Sequence, residues 1–305
     1  MSSINRLIYL KKLQHVVEYI VYLTIETFVA YLPEQVLIPF SKFLAWLGFK
    51  VFKFRHEVAL NNLQIAFPEK NSLERFTIAY KSFQHFMLLA MEFMKLSRWT
   101  IDKVESMIEV DGKSEIIEYF QKNKSGILVS GHFGNWELAI ALLSKKYVPF
   151  AGIQTEQRNK WINKKTVDLR EKWGMKIIYK KGAVRESLKM LNQERWIAIL
   201  GDQDGGKRGL FVPFFGKLAS TPPGPALLKI KSKKPMIFAY CVRIAPFKYK
   251  GVVIPITFSE EQELKTDLLR VTTLFTQELE NAIRKYPEQY LWIHRRWKTP
   301  YQKND

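Results

Sequence analysis

Apolar positions dominate the first fifty residues and then change rhythm. From Leu13 to Tyr31 a mostly apolar segment runs without proline or glycine, close to the ~20 residues a membrane-spanning helix requires. At ~100° per residue, His15, Glu18, Tyr22 and Glu26 fall within one narrow sector, and Val16, Val17, Ile20, Leu23, Ile25, Phe28 and Val29 cover the remaining surface. This predicts a helix that is apolar on most sides with one polar seam. Pro33 stops it. A second apolar stretch, Val36 to Phe52, is punctuated by Lys42 and Lys50, with Lys53 just beyond, whose stems can snorkel at a membrane surface. Trp46, Phe49 and Phe52 suit the headgroup level. Two buried helices of a soluble domain would satisfy the same pattern.

Asn71 to Leu96 reads as a long helix, opened by Asn71 or Ser72 with Glu74 in its first turn. The pattern then shifts to short apolar runs separated by helical stretches. Gly126 to Ser130, Ile177 to Tyr179, Trp196 to Leu200, Met236 to Val242 and Val252 to Phe258 predict strands of an α/β sheet. An amphipathic helix over Leu264 to Lys285 stops at Pro287. No internal repeat or low-complexity linker interrupts the chain. The simplest division is a membrane-associating helical segment, 1–54, followed by a catalytic domain, 55–305.

Composition narrows the partners. The 305 residues carry a formal charge of +19 with 47% hydrophobic residues, which gives ample core and calls for a polyanionic partner, nucleic acid or an anionic lipid surface. The positive charges are spread along the chain and form no known nucleic-acid module, so a basic nucleic-acid-binding protein is the remote alternative and no specific nucleic acid is expected. Cys241 is the single cysteine, which excludes an internal disulfide and a cysteine-based zinc site. Arg6, Lys11 and Lys12 are not followed by a short apolar core and small-residue cleavage site, so a removable secretory signal is not expected.

The densest chemical signal is Gly131-His132-Phe133-Gly134-Asn135-Trp136-Glu137, directly after the apolar run Ile127 to Ser130. A strand that delivers a glycine-flanked histidine and then a helix opening with a carboxylate is how α/β sheets place active-site loops. His132 and Glu137 would diverge by ~140° on a regular helix. Gly131 and Gly134 permit an irregular turn that points His132 back toward Glu137, held in the first helical turn where the dipole favours its charge. A histidine oriented by a carboxylate is half of a catalytic triad. With no Ser or Cys nucleophile in the motif, such a base would activate a hydroxyl of the substrate, so acyl transfer to an alcohol is the natural chemistry. A loop histidine that only caps a helix is the bland alternative.

The motif resembles the H-x4-D/E signature of glycerolipid-type acyltransferases, in the form found in the late acyltransferases of lipid A, the lauroyl and myristoyl transferases. Arg55 with Asn62-Leu63 and Phe67-Pro68-Glu69 matches the family's N-terminal pattern. Gly201-Asp202-Gln203-Asp204, Phe211 to Gly216 and Thr221 match its middle, and Pro287 to Tyr290 with Trp292 and His294 to Lys298 match its end. The resemblance spans nearly the whole chain. It implies a mixed sheet flanked by helices, preceded by one or more N-terminal apolar membrane helices. It also implies a thioester donor, acyl carrier protein or coenzyme A, and a lipid acceptor, a lipid A precursor or another glycolipid or phospholipid. The place would be the bacterial cytoplasmic (inner) membrane, with the catalytic domain on its cytoplasmic face.

Roles follow from the same resemblance. His132 removes the acceptor's hydroxyl proton, and Glu137 holds the imidazole tautomer and steadies the imidazolium, with neither metal nor cofactor needed. Arg170 falls where the family keeps an arginine; it would bind phosphate or support the oxyanion, unless it is a solvated helix charge. Asp202 and Asp204 follow the Trp196 to Leu200 run, where a loop can reach the site, and are assigned to substrate contact rather than to a metal. Arg158, beside Lys160, is a candidate for substrate binding and equally for a membrane-facing surface. Phe214 and Phe215 would either wall an acyl chain or pack the core. Arg295 and Arg296 would grip a phosphorylated headgroup or lock the tail, and His294 is read as structural.

Overall fold

Both N-terminal segments are helical. The computed structural model describes residues 3–259 and 263–302, without the side chains of 3–8, so Arg6 lies outside the described side chains. Helix α1 spans Ser3–Tyr31 and α8 spans Lys160–Lys172. The polar seam of α1 turns inward, toward α8. Glu26 is 4% exposed and faces Lys165 at 3.5 Å. Asn159, the N-cap of α8, donates to the Glu18 carboxylate (3.1 Å) and to the His15 carbonyl (2.8 Å). On the far side Val17, Ile20 and Phe28 stay 52%, 56% and 53% exposed. A helix of a soluble core points its apolar stripe inward; α1 does the reverse.

Among the described residues no single helix is long and apolar enough to cross a membrane, although the bent pair Glu34–Val51 and His56–Ala66, at 90°, has the length and composition. The docked seam, with Glu18 and Glu26 in it, is what dilutes the apolarity of α1. Leu13 to Tyr31, expected as an apolar helix with one polar seam, thus lies in a long helix whose seam is docked and whose apolar face is exposed.

After Pro33, α2 (Glu34–Ala45) runs into a wide-turned segment, Trp46–Val51, then α3 (His56–Ala66) and α4 (Ser72–Lys95). The start of α4 is fixed by a capping box: the Glu74 N–H donates to the Asn71 side chain (2.9 Å) and the Asn71 N–H to the Glu74 carboxylate (2.8 Å). Lys95, at the other end, donates to the carbonyls of Ala30 (3.0 Å) and Leu32 (2.5 Å), where α1 runs out of intrahelical donors.

The remaining chain alternates helices and strands: α5 (Ile101–Ser106), β1 (Ile108–Val110), α6 (Lys113–Lys122), β2 (Ile127–Ser130), α7 (Trp136–Lys146), β3 (Phe150–Gln154), then α8 and β4 (Lys176–Tyr179). It continues with α9 (Ala183–Asn192), β5 (Trp196–Leu200), β6 (Leu210–Phe214), β7 (Lys217–Thr221), α10 (Gly224–Ser232), β8 (Met236–Ala245), β9 (Lys248–Pro255) and α11 (Leu264–Lys285). Seven strands form one mixed sheet in the order β1-β9-β8-β2-β5-β3-β4, in which β9 is antiparallel to β8 and the other pairings are parallel. β6 and β7 make a separate hairpin, turned by Phe215 and Gly216, both at positive φ.

Period-2 alternation puts opposite faces of each strand into different cores. Ile127 and Val129 pack into the cluster that holds Phe275 and Leu279 of α11, while Leu128 packs with Phe120, Ile140 and Trp196 on the other face. The first cluster extends without a break to Ala45 and Phe49, ahead of the catalytic domain expected from residue 55. β2, buried at all four positions, is the centre of this layered arrangement.

Candidate active site

β2 and β5 are parallel neighbours in a register that pairs Ser130 with Leu200. Two residues past each strand end, at the carboxyl edge of the sheet, stand His132 and Asp202. The Nδ1–H of His132 donates to Asp202 Oδ1 (2.8 Å) and the His132 backbone N–H to Oδ2 (2.9 Å). A carboxylate only accepts, so it fixes the ring proton on Nδ1 and leaves a lone pair on Nε2. Burial pulls the His132 pKa down, but the charge of Asp202 and its hydrogen bond, with a further contribution from Glu137, raise it above the ordinary imidazole value. Burial alone would raise the Asp202 carboxyl; the charge and hydrogen bonds of His132, aided by Arg296, hold it below the usual carboxylate range. The Trp136 ring stands edge-on to the imidazole at 5.2 Å. The Gln203 amide nitrogen lies 3.4 Å from Nε2.

The loop between β2 and α7 is tightly specified. Gly134 has φ +61°, and a Cβ there would fall 2.1 Å from the Cys241 carbonyl oxygen, so the chain can pass β8 only as glycine. The Gly134 N–H donates to the Gln289 carbonyl (3.0 Å), the Asn135 N–H to that of Cys241 (2.6 Å), and the Leu291 N–H to that of His132 (3.1 Å). Asn135 caps α7 by accepting from the Leu138 N–H (3.1 Å), and its amide donates to Glu92 (2.9 Å). Glu92, fully buried, also takes two hydrogen bonds from Arg243 (2.6 Å each) and one from the Tyr249 hydroxyl (2.5 Å). His85 donates from Nε2 to the Gly134 carbonyl (3.0 Å), and burial pushes its pKa down to about 3, which keeps it neutral.

The carboxylate on the imidazole is thus Asp202, where the sequence pointed to Glu137. Glu137 does sit in the first turn of α7, but its oxygens face α8: Arg170 Nη2 donates to Oε1 (2.6 Å) and Nε to Oε2 (3.2 Å), and Trp136 Nε1 adds a third contact (3.2 Å). Its influence on His132 is through its charge alone. Arg170 is no solvated charge. Its remaining nitrogen, Nη1, donates to Gln154 Oε1 (2.8 Å) at the end of β3, and the guanidinium lies over Phe93 at 4.9 Å.

Asp204, expected to touch substrate, is occupied with the chain itself. It accepts from the Thr299 N–H and hydroxyl (3.2 and 2.9 Å) and from the Gly206 N–H (3.2 Å), while its own N–H donates to His294 Nε2 (3.1 Å). Arg158 is exposed on the bend before α8, away from the contacts that assemble the His132 cluster. Arg296 is 1% exposed and locks the tail by donating to the Ser220 carbonyl and the Thr221 hydroxyl (2.6 Å each), with Phe214 beneath it; Arg295 is exposed. Phe214 and Phe215 belong to the packed core. Among the described residues no cluster of three His, Cys, Asp or Glu side chains suited to a metal is found.

A strand-end histidine with its own buried carboxylate and an open ring nitrogen has the geometry to take a proton from a hydroxyl supplied by substrate. The family model of bacterial lipid A biosynthesis acyltransferase matches residues 7–299. The lipid A biosynthesis palmitoleoyltransferase of Escherichia coli (strain K12) is 26% identical over 285 residues, 88% of this chain and 87% of that protein. The lauroyltransferase of the same organism is 27% identical over 279 residues, 89% and 88%. A phosphatidylinositol mannoside acyltransferase of Mycolicibacterium smegmatis is 23% identical over 178 residues, 57% of each chain. The chain is an acyltransferase, and it belongs to the bacterial lipid A biosynthesis acyltransferase family.

Proposed function

We propose that the protein moves a fatty acyl group from a thioester donor, acyl carrier protein or coenzyme A, to a hydroxyl of a lipid A precursor. The observation that carries this reading is the His132–Asp202 pair at the ends of adjacent strands, with Nε2 left open. Nε2 takes the proton from the acceptor hydroxyl as its oxygen attacks the thioester carbonyl, and Asp202 and Glu137 stabilise the imidazolium that forms. The imidazolium then returns the proton to the departing thiolate. Arg170 holds the Glu137 carboxylate in place through two charge-assisted hydrogen bonds.

The acceptor assignment rests on relatives named for lipid A, which cover most of this chain. The mannoside relative matches over a shorter span and supports another membrane glycolipid as the second reading. In this proposal the apolar face of α1, with Phe43, Trp46 and Phe52 beyond it, lies in the bilayer surface, and the +19 charge favours anionic headgroups. Acyl thioesters are made in the cytoplasm, which places the catalytic domain on that face of the inner membrane. Residues 1–54 would supply the membrane contact and 55–305 the chemistry.

Mass spectrometry of lipids from cells with and without the gene tests the function. Loss of one acyl chain from lipid A, restored by the wild-type gene and not by His132→Ala, is expected. An unchanged lipid A profile alongside a change in another lipid class would move the acceptor to that class.

A further inference from the structure

The tetrahedral intermediate of acyl transfer needs a hydrogen-bond donor for its oxyanion, and many of the backbone donors near His132 are already engaged. In the catalytic loop the N–H groups of His132, Phe133, Gly134 and Asn135 donate to Asp202, the Gly131 carbonyl, the Gln289 carbonyl and the Cys241 carbonyl. Across the gap the Gly201 N–H donates to Ser130 and the Asp204 N–H to His294. Arg170 spends three of its five N–H groups within the protein and is held to α7 and β3, with Nε and Nη2 on Glu137 and Nη1 on Gln154. The Gln203 amide differs from all of these. Its nitrogen meets His132 Nε2 at 3.4 Å, the outer limit of a hydrogen bond, and Gln203 is only partly buried.

The orientation of that amide follows from the dyad. Asp202 keeps the ring proton on Nδ1, so Nε2 presents a lone pair and only the NH2 end of Gln203 suits it. The preceding residue in the chain, Asp202, is bonded twice to His132, which holds Gln203 at a fixed offset from the base.

We infer that Gln203 is a catalytic residue whose side-chain amide donates to the thioester carbonyl oxygen and to the oxyanion that develops on it. The inference rests on the assignment of His132 as the base. The acceptor hydroxyl enters between Gln203 and Nε2 and displaces their weak contact. Its proton passes to Nε2 as the O–C bond forms, and the carbonyl π pair moves onto oxygen, where the Gln203 N–H meets it. Collapse of the intermediate reforms the carbonyl, breaks the C–S bond, and sends the proton from Nε2 to the leaving thiolate.

The test uses the full chain in detergent micelles, with lauroyl-acyl carrier protein and a lipid A precursor as probes and thiol release as readout. Gln203→Met, close in volume but without a donor, is expected to lower kcat on the order of 10²-fold with KM unchanged. Gln203→Asn retains a donor and should recover part of that loss. Gln203→Glu should be at least as impaired as the Met variant, and its ascending pH limb should move to higher pH because a second negative charge beside Nε2 favours the imidazolium. If the Met variant folds poorly, the Glu variant with its shifted limb carries the test. Wild-type kcat in Gln203→Met, or a loss confined to KM, overturns the inference. Turnover surviving in His132→Ala would instead defeat the base assignment.

Discussion

The loop 131–137 stands between two carboxylate-centred networks built for opposite ends. Behind it, Glu92 is fully buried and gathers Arg243, Tyr249 and Asn135 around both of its oxygens. In front, Asp202 binds His132 twice, and the network then ends at an Nε2 that the Gln203 amide approaches at 3.4 Å. Saturation makes the rear network a fixture: a buried charge that lost a partner there would be left uncompensated. Incompleteness gives the front network its chemistry, because the lone pair it leaves on Nε2 can take a proton.

Breaking the front should cost chemistry before stability. Asp202→Asn places an amide beside Nδ1, which permits the wrong tautomer and removes the charge behind the imidazolium. Turnover is expected to fall by about 10³- to 10⁴-fold. The wild-type pH–rate limb, set by a neutral His132, should rise with pH through a value above the usual imidazole range, because Asp202 raises that pKa. In the variant the residual limb should move to lower pH. A limb that stays where it was would show that another group governs the profile.

Breaking the rear should do the converse. Glu92→Gln leaves Arg243 without its partner charge and is expected to lower the unfolding free energy by about 3–5 kcal/mol, read by denaturant titration. The kcat per folded molecule should stay close to wild type. A kcat loss as deep as that of Asp202→Asn, with stability unchanged, would erase the distinction between the two sides.

Glu137→Gln sharpens the comparison, since Glu137 borders the front network and bonds to neither ring nitrogen of His132. A loss of only about tenfold in kcat is expected, with a small acid shift of the same limb, because removing its charge weakens the support for imidazolium. Inactivation as complete as in Asp202→Asn would restore Glu137 as the principal partner of the base.

Much of this was legible in the sequence. The apolar runs that became β2, β5 and β8 stood out because strands inside the sheet are buried on both faces, and Ile177 to Tyr179 of β4 stood out as a short apolar run although β4 is an edge strand. β1, three residues long, was too short to register, and the run Phe150–Gln154 of β3 was passed over. β9 was expected to begin at Val252 because Lys248 and Lys250 disguise its first half. His132 was found from its flanking glycines. Its carboxylate was sought five residues away and lies seventy away, a contact made by the register of β2 against β5 and by nothing local. The inward turn of the α1 seam depended on Asn159 and Lys165, which no periodicity within α1 could reveal.

The bonds that shape the catalytic loop also set a schedule for its birth on the ribosome. Asn135 waits for the carbonyl of Cys241, and His132 and Gly134 are then clipped by Leu291 and Gln289, close to the end of the chain. Those partners are translated more than a hundred residues after the loop they complete. A nascent chain therefore carries the apolar face of α1 long before the loop around His132 is complete. Nonsense truncation ahead of Gln289 would keep the residues of α1 and lose the bonds that Gln289 and Leu291 make to the loop.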